Sequence, residues 1–352
     1  MKPLFLSAAL AAALCLATAG PAAAQPAMQP DVAVPFYTPV QALEALYRLH
    51  YQPRSQAFAQ ASAALGPALA AGCTAGGTLD EARVRWREAL LAWERLAAVQ
   101  VGPLVERRSL RRLDFQPARP ELIARAVKAA PADAAGMARV GTPAKGLPAL
   151  EYLLWTKPAA PGSAECRFAQ AVAADLQAEA AAIAADFQAL AAREFDDEGE
   201  AASNAFGEFI NQWLGGIERL RWADIDKPIQ SADGRPPAYP RLASDSTAAA
   251  WQARWQSLRQ LTAGPARPLG EGLVPVEAYL RGRGQNPLAD ALAAQVAATT
   301  QAFERLGSAG APARPEAAQA AARALGTLKS LIEKQVAPAL EVALGFTDAD
   351  GD

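Results

Sequence analysis

The stretch Lys145-Gly-Leu-Pro-Ala-Leu-Glu-Tyr-Leu-Leu-Trp155 is almost wholly apolar and carries one carboxylate, Glu151. Gly146 lets the entering chain turn, and Pro148 suits the first position of a helix, where its missing N–H costs nothing. Glu151 is then expected in the first turn, where its charge complements the helix dipole by about 0.3–1 kcal/mol. A carboxylate at a helix start can also face a cleft, which makes Gly146, Glu151 and Tyr152 candidate ligand-binding residues. A second stretch, Gly272-Leu-Val-Pro-Val-Glu277, repeats the Gly-Leu pair, the nearby proline and the glutamate. The echo is either chance in a chain rich in Leu and Ala or an old duplication. A duplication puts Glu151 and Glu277 in one groove, where repulsion raises at least one pKa unless a cation or arginine intervenes. Chance makes Glu277 an ordinary exposed residue.

Other reactive residue types are scarce. The chain has one histidine, His50, so an H-E-x-x-H zinc site and any three-histidine site are excluded. No G-x-S-x-G elbow is present. His50 lies late in the first helical pattern and reads as a helix C-terminal or packing residue, not a base. The cluster Arg107-Arg-Ser-Leu-Arg-Arg112 is able to bind an anion but reads as a solvated face. Phe346-Thr-Asp-Ala-Asp-Gly-Asp352 opens like a calcium loop and stops short of the bidentate glutamate such a loop needs, so an exposed acidic end is expected.

The elements that must position these groups follow from composition. The 352 residues are 51% hydrophobic and 20% charged, with a formal net charge of −2. That is room for one large domain or two medium ones, and it lacks the basic footprint of a nucleic-acid binder. Alanine dominates while β-branched and aromatic residues are few, which favours helix over sheet. Met1-Lys2, the apolar run from Leu4 to Ala19 and the small residues Ala22-Ala-Ala24 read as a cleaved signal peptide over residues 1–24, followed by a linker over 25–37. The alternative is a hydrophobic helix retained in the fold. Leu14 is too bulky for lipoprotein processing at Cys15. The run is too short for a comfortable anchor, so no transmembrane segment is expected in the mature chain. Two cysteines then remain, Cys73 and Cys166. In an oxidising compartment they are a disulfide candidate; the alternative is two separately buried thiols.

Helix signals recur along the chain. Thr38-Pro39 is a cap followed by a proline. Thr78-Leu-Asp-Glu81 reads as a capping box, with Trp86, Leu90, Trp93 and Ala97 following at helical spacing. Ser163 precedes an Ala-rich run to Ala192. Helices are also expected over Phe206 to Trp222, Trp251 to Leu261, Leu288 to Leu306 and Pro315 to Leu344. No alternating strand pattern competes, so the fold class is all-α. Asp226 to Pro240, with four prolines, reads as a loop. The acidic run Glu194 to Glu200 reads as a solvated helix end. A boundary near residue 200 would divide a first helical bundle (38–200) from a second (201–352), packed side by side with a cleft between them.

Five stretches carry a resemblance: Trp86-Arg-Glu-Ala-Leu-Leu-Ala-Trp93, Val99-Gln-Val-Gly-Pro103, Gly146 to Trp155, Trp251 to Leu261, and Leu344 to Asp352. Through them the chain resembles the imelysin-like family of bacterial envelope proteins over nearly all of the mature sequence. The resemblance implies an all-helical, two-bundle fold with a site where the bundles meet. It also implies peptidase activity in some members and iron uptake or sensing in others. The family's metal motif is G-x-H-x-x-E. Here Gly146 and Glu151 match, but Pro148 stands at the histidine position and has no atom to offer a metal. Glu151 alone does not satisfy zinc, which takes about four ligands, so no zinc is expected.

The leading expectation is therefore an exported, imelysin-like binding protein of the cell envelope, without peptidase activity. It would be linked to iron or other metal uptake, with envelope proteins or a metal-linked ligand as partners. One alternative is a metallopeptidase whose carboxylates hold a hard cation such as iron or calcium. The other is a structural or partner-docking envelope protein.

Overall fold

Thr38 starts the first helix as its type directs. Its Oγ accepts from the Gln41 N–H while the Gln41 side chain accepts from the Thr38 N–H, which closes a capping box. The computed structural model describes residues 36–131, 133–195, 200–264, 271–307 and 315–345, and among these there are helices and no strand. The expected signal peptide, most of the linker, the centre of the acidic run and the Phe346–Asp352 tail lie outside them.

Helix α1 (Pro39–Leu46) passes through a π-helical segment, Tyr47–Tyr51, into α2 (Gln52–Gly72). Helix α3 (Asp80–Leu96) has Leu79 as its cap and no side-chain cap bond, so the expected box on Thr78 does not form. Leu79 is buried in the core, and that burial sets the start one residue beyond the expected cap. Short helices α4 (Pro103–Glu106), α5 (Ser109–Leu113), α6 (Pro120–Ala129) and α7 (Ala134–Ala138) lead to α8 (Gly146–Glu151). A π segment, Tyr152–Thr156, follows, and then the long α9 (Ala164–Ala191), capped by Ser163.

Helix α10 (Glu200–Glu218) runs through a π segment, Arg219–Asp226, into α11 (Lys227–Gln230). The loop expected from Asp226 therefore starts only after Gln230, because Pro228 falls in the first turn of α11, where proline is tolerated. The remaining helices are α12 (Thr247–Thr262), α13 (Val276–Gly282), α14 (Asn286–Leu306), α15 (Pro315–Leu331) and, after the π segment Ile332–Val336, α16 (Ala337–Ala339).

Among the described residues, each of the four π segments ends two residues before a proline: Pro53, Pro158, Pro228 and Pro338. Proline donates no hydrogen bond, and its ring clashes with the carbonyl one turn back. The wider π register moves that carbonyl aside. Three of the helices continue past their proline for this reason; at Pro158 the helix has ended.

Helix α2 packs between α3 and α9, with α8 on α9. A second set comprises α10, α12 to α15 and the Arg219–Asp226 segment. Helix α12 on α3 and α1 on α10 join the two sets, and one apolar core runs through both. Gly216 permits a close crossing, since a Cβ there would lie 2.1 Å from the Ala98 carbonyl oxygen. Cys73 and Cys166 form the disulfide, with Cα atoms 5.8 Å apart. It ties the end of α2 to the first turn of α9. Closing a loop 93 residues long is worth about 4–5 kcal/mol in the chain-entropy account. Among the described residues no helix is long and apolar enough to cross a membrane.

Candidate functional site

Helix α8 begins at Gly146, two residues earlier than the sequence suggests. Pro148 occupies N3 instead of N1, and Glu151 lies in the second turn, out of reach of the dipole contribution expected for it. Proline is still tolerated, because the N3 amide is among the four without an intrahelical partner. Gly146 explains the shift. It adopts φ +75°, and a Cβ on it would lie 2.4 Å from the Leu113 carbonyl oxygen. Only a glycine lets the start of α8 abut the end of α5. Trp86 Nε1 then donates to the Leu147 carbonyl at 3.1 Å and ties α8 to α3.

So placed, Glu151 is 7% exposed and points at the loop over residues 239–246. Its Oε1 accepts from the Ser244 N–H at 3.0 Å and from Ser244 Oγ at 2.7 Å. Its Oε2 lies 4.0 Å from Arg241 Nη1. Tyr152 is partly buried and packs on the apolar core.

Arg241 carries the contact into a larger buried cluster. Its Nη2 donates to Asp114 Oδ1 and lies 3.6 Å from Glu94 Oε1. Arg254, from α12, bridges Glu94 of α3 and Asp224 of the Arg219–Asp226 segment. Arg219 Nη2 lies 3.6 Å from Asp114 Oδ2, which also accepts from Trp93 Nε1 at 3.1 Å. Four carboxylates and three guanidinium groups, drawn from both helix sets, thus meet away from water. All of them except Glu151 line a cavity of about 10 Å³, the lower limit for one ordered water. Arg219 Nη1, Arg241 Nε and Nη1, and Arg254 Nε are buried donors with no protein acceptor, which gives such a water partners.

The electrostatics follow from burial against pairing. Burial pushes the Glu94 carboxyl up despite Arg254 beside it. At Asp114 burial acts the same way, but Arg241, Arg219 and Arg254 outweigh it and hold the carboxyl below its ordinary range. Burial works against the charge on Arg241, and Asp114, Glu94 and Glu151 more than restore it. Burial and the Arg254 charge lower Arg219.

Glu277 has other company. It sits in the first turn of α13, where it accepts from the Gly264 N–H at 3.2 Å and from Arg281 Nη2 at 2.7 Å. Arg281 also reaches Asp290. Glu277 and Glu151 share none of these partners.

His50 is not at a helix C-terminus but inside the Tyr47–Tyr51 π segment, fully buried. Ser257 Oγ donates to the Arg95 carbonyl at 2.7 Å, so at 3.3 Å it accepts from His50 Nε2–H, which assigns the tautomer. Burial, and secondarily Arg54, push its pKa well below the usual histidine value. The arginine cluster is a solvated face at Arg108 and Arg111, which are exposed, but not at Arg107. Arg107 forks onto the buried Glu179 and reaches Asp186, and Arg112 also takes Glu179. Helix α9 supplies the carboxylates that hold it.

Sequence reasoning passed over Glu94, Asp114, Arg219, Asp224, Arg241 and Arg254. Two of them left a readable signal: Glu94 follows Trp93 within the apolar spacing of α3, and Arg254 sits between Trp251 and Trp255. Asp114 and Arg241 lie outside helices and left none.

A separate groove of about 510 Å³ lies on the second helix set, lined among others by Phe206, Glu208, Asn211, Tyr279 and Arg283. Its size suits a small ligand.

An all-helical protein that joins two helix sets through buried, charge-paired residues around Glu151 is the class these observations define. Residues 50–337 match the sequence model of the imelysin family (Peptidase_M75), and the chain belongs to that family. No curated protein matches the sequence. Among solved structures it is similar to an imelysin-like protein from Psychrobacter arcticum 273-4, with TM-score 0.72 and 21% identity, over 90% of this chain and 100% of that one. It is also similar to a protein from Parabacteroides distasonis ATCC 8503 named as an iron-regulated protein A precursor. There the TM-score is 0.67 and the identity 16%, over 88% of this chain and 96% of that one.

The metal that the family motif implies does not fit the residues present here. Pro148 has no donor atom. One oxygen of Glu151 is taken by two Ser244 donors, and the other faces a guanidinium. Among the described residues no three His, Cys, Asp or Glu side chains are placed to hold a metal ion together.

Proposed function

We propose that the chain is an exported imelysin-family protein of the bacterial cell envelope that binds a ligand or partner without cleaving it, in the service of iron or other metal uptake. One observation carries the reading. The motif glutamate is committed to Ser244 and Arg241, so it fastens the 239–246 loop to α8 and is not poised to activate water. The small-residue and apolar pattern over residues 1–24 supports export, as does a disulfide of the kind that persists in oxidising compartments. The likeness to a protein named as an iron-regulated precursor supports the link to iron supply.

Gly146 and Glu151 then act by setting how the helix sets meet, with Tyr152 packed behind them. The groove beside Tyr279 and Arg283, on the helix that carries Glu277, has room for a ligand. Purified protein is expected to leave an unfolded protein substrate intact with or without chelator. The mature form is expected in the periplasmic fraction, and a deletion strain is expected to grow poorly under iron limitation. Chelator-sensitive cleavage that disappears in Glu151→Gln would overturn the reading in favour of a peptidase.

A further inference from the structure

The groove on the second helix set has three built walls. Asn204, Gly207, Glu208 and Asn211 recur at helical spacing and form one polar face of α10 along it. Tyr279 of α13 and Arg283, the C-cap of that helix, form a second wall. Residues 340–343 form the third, and Asn211 fixes this segment in place. Its Nδ2 donates to the Ala343 carbonyl at 3.2 Å, and its Oδ1 accepts from the Gly345 N–H at 2.8 Å. Phe206 and Tyr279 stack with ring centroids 4.6 Å apart and lock α10 to α13.

Two charges of opposite sign line this space. Arg283 Nη2 donates to Tyr279 Oη at 2.8 Å, and the guanidinium lies over the Tyr279 ring at 4.9 Å and the Phe36 ring at 5.3 Å. The rings orient the head, and among the described residues no carboxylate pairs with it. Glu208 likewise has no lysine or arginine partner among the described residues. Burial, and then the Glu106 charge, push its carboxyl above its ordinary range against a backbone contact at Gly102. A cation beside it would reverse that push. Glu341 on the third wall adds another negative charge, so an anion alone would be repelled.

We infer that the groove binds an amino-carboxylate zwitterion, its carboxylate on the Arg283 fork and its ammonium on Glu208. A guanidinium fork takes a carboxylate through two parallel hydrogen bonds, and the ammonium supplies the cation that Glu208 lacks. Gly207 points the same way. Glycine weakens a helix interior, and at Gly216 of the same helix close packing requires it, because a Cβ would lie 2.1 Å from the Ala98 carbonyl oxygen. A Cβ on Gly207 would meet nothing within 4 Å. The space that its missing side chain leaves open is the groove. This ligand class presupposes the proposed binding role, but not its link to metal uptake.

The test is calorimetric titration of the purified chain at neutral pH with L-leucine and with trialanine. Each is compared with its N-acetylated form, which lacks the ammonium, and its amide, which lacks the carboxylate. At least one of the two zwitterions is expected to bind saturably at millimolar concentration or below, and the tighter one shows whether the source is a free amino acid or a peptide. Blocking either end, or changing Arg283→Gln or Glu208→Gln, is expected to weaken binding about tenfold or more. Gly207→Leu is expected to abolish binding without lowering Tm. The inference is overturned if neither zwitterion binds, if the blocked forms bind as well as the parents, or if a folded Gly207→Leu binds unchanged. Chromatography of the titrated trialanine keeps the two readings apart. Released alanine would sink the non-cleaving role while leaving the site standing, and intact peptide that never bound would sink the site alone.

Discussion

Two segments of this protein are spelled almost alike and used in opposite ways. Gly146-Leu-Pro-Ala-Leu-Glu151 and Gly272-Leu-Val-Pro-Val-Glu277 both run from a Gly-Leu pair through a proline to a glutamate. In the first, Pro148 lies at N3 and carries Glu151 into the second turn, where it is buried against Ser244, ninety-three residues away in the chain. In the second, Pro275 is the N-cap, so Glu277 falls in the first turn and pairs with Arg281 on its own helix. The first helix starts at Gly146, two residues before its proline, and the second starts just after its proline, so the two carboxylates stand about one turn apart in depth along their helices. A shared spelling therefore does not imply a shared site, and the first glutamate holds tertiary structure while the second holds local structure.

The largest effect expected from this contrast is at the centre of the Glu151 cluster. Arg254→Met would leave Glu94 and Asp224 buried without their shared partner, and breaking such a pair costs about 3–5 kcal/mol. Urea unfolding would measure it; a loss below about 1 kcal/mol would mean that water reaches these carboxylates. Glu151→Ala comes next. It leaves the Ser244 N–H without an acceptor and removes a carboxylate 4.0 Å from Arg241, for about 1–3 kcal/mol. The same denaturation experiment on Glu277→Ala should show the smallest change, about 1 kcal/mol or less, because its pair is local and borders solvent. Equal losses at the two glutamates would break the comparison.

His50 sharpens it from a third place, with an effect between these. Like the cluster, it is a buried polar group joining both helix sets, yet it is neutral. Its pKa in the folded chain is depressed, so below about pH 6.5 the unfolded chain binds the extra proton. The stability it contributes is complete above that pH and falls by up to about 1.4 kcal/mol for each unit of pH below it. Measured from pH 7 to 5, the wild-type Tm should fall more steeply than that of His50→Gln, and parallel curves would count against a neutral, buried His50.

The residues that legibly marked the candidate site were those of the motif, Gly146 and Glu151, and both do lie at the junction of elements. What the junction is made of was not legible. Asp114 and Arg241 sit in irregular segments, where periodicity says nothing about burial. Arg219 fell near the end of an expected helix and Asp224 beyond it, and neither was singled out; both lie in the π segment ahead of Pro228. That proline was visible, but its effect on helix register was read as a loop. Arg107 was misread for a related cause, since its carboxylate partner Glu179 lies 72 residues away on α9.

By itself the sequence determined the local and compositional features: an all-helical chain, helix starts such as Thr38 and Ser163, family membership, and two cysteines able to pair. These depend on propensity, capping and side-chain chemistry that neighbouring residues settle among themselves. Tertiary structure alone decided which charges are buried and with whom. A carboxylate such as Glu94 tolerates burial only when Arg254 and Arg241 arrive from distant segments. Pairing across 147 and 160 residues of chain is a property of the packed fold, because desolvation and Coulomb attraction at short range oppose each other only once the helices have met.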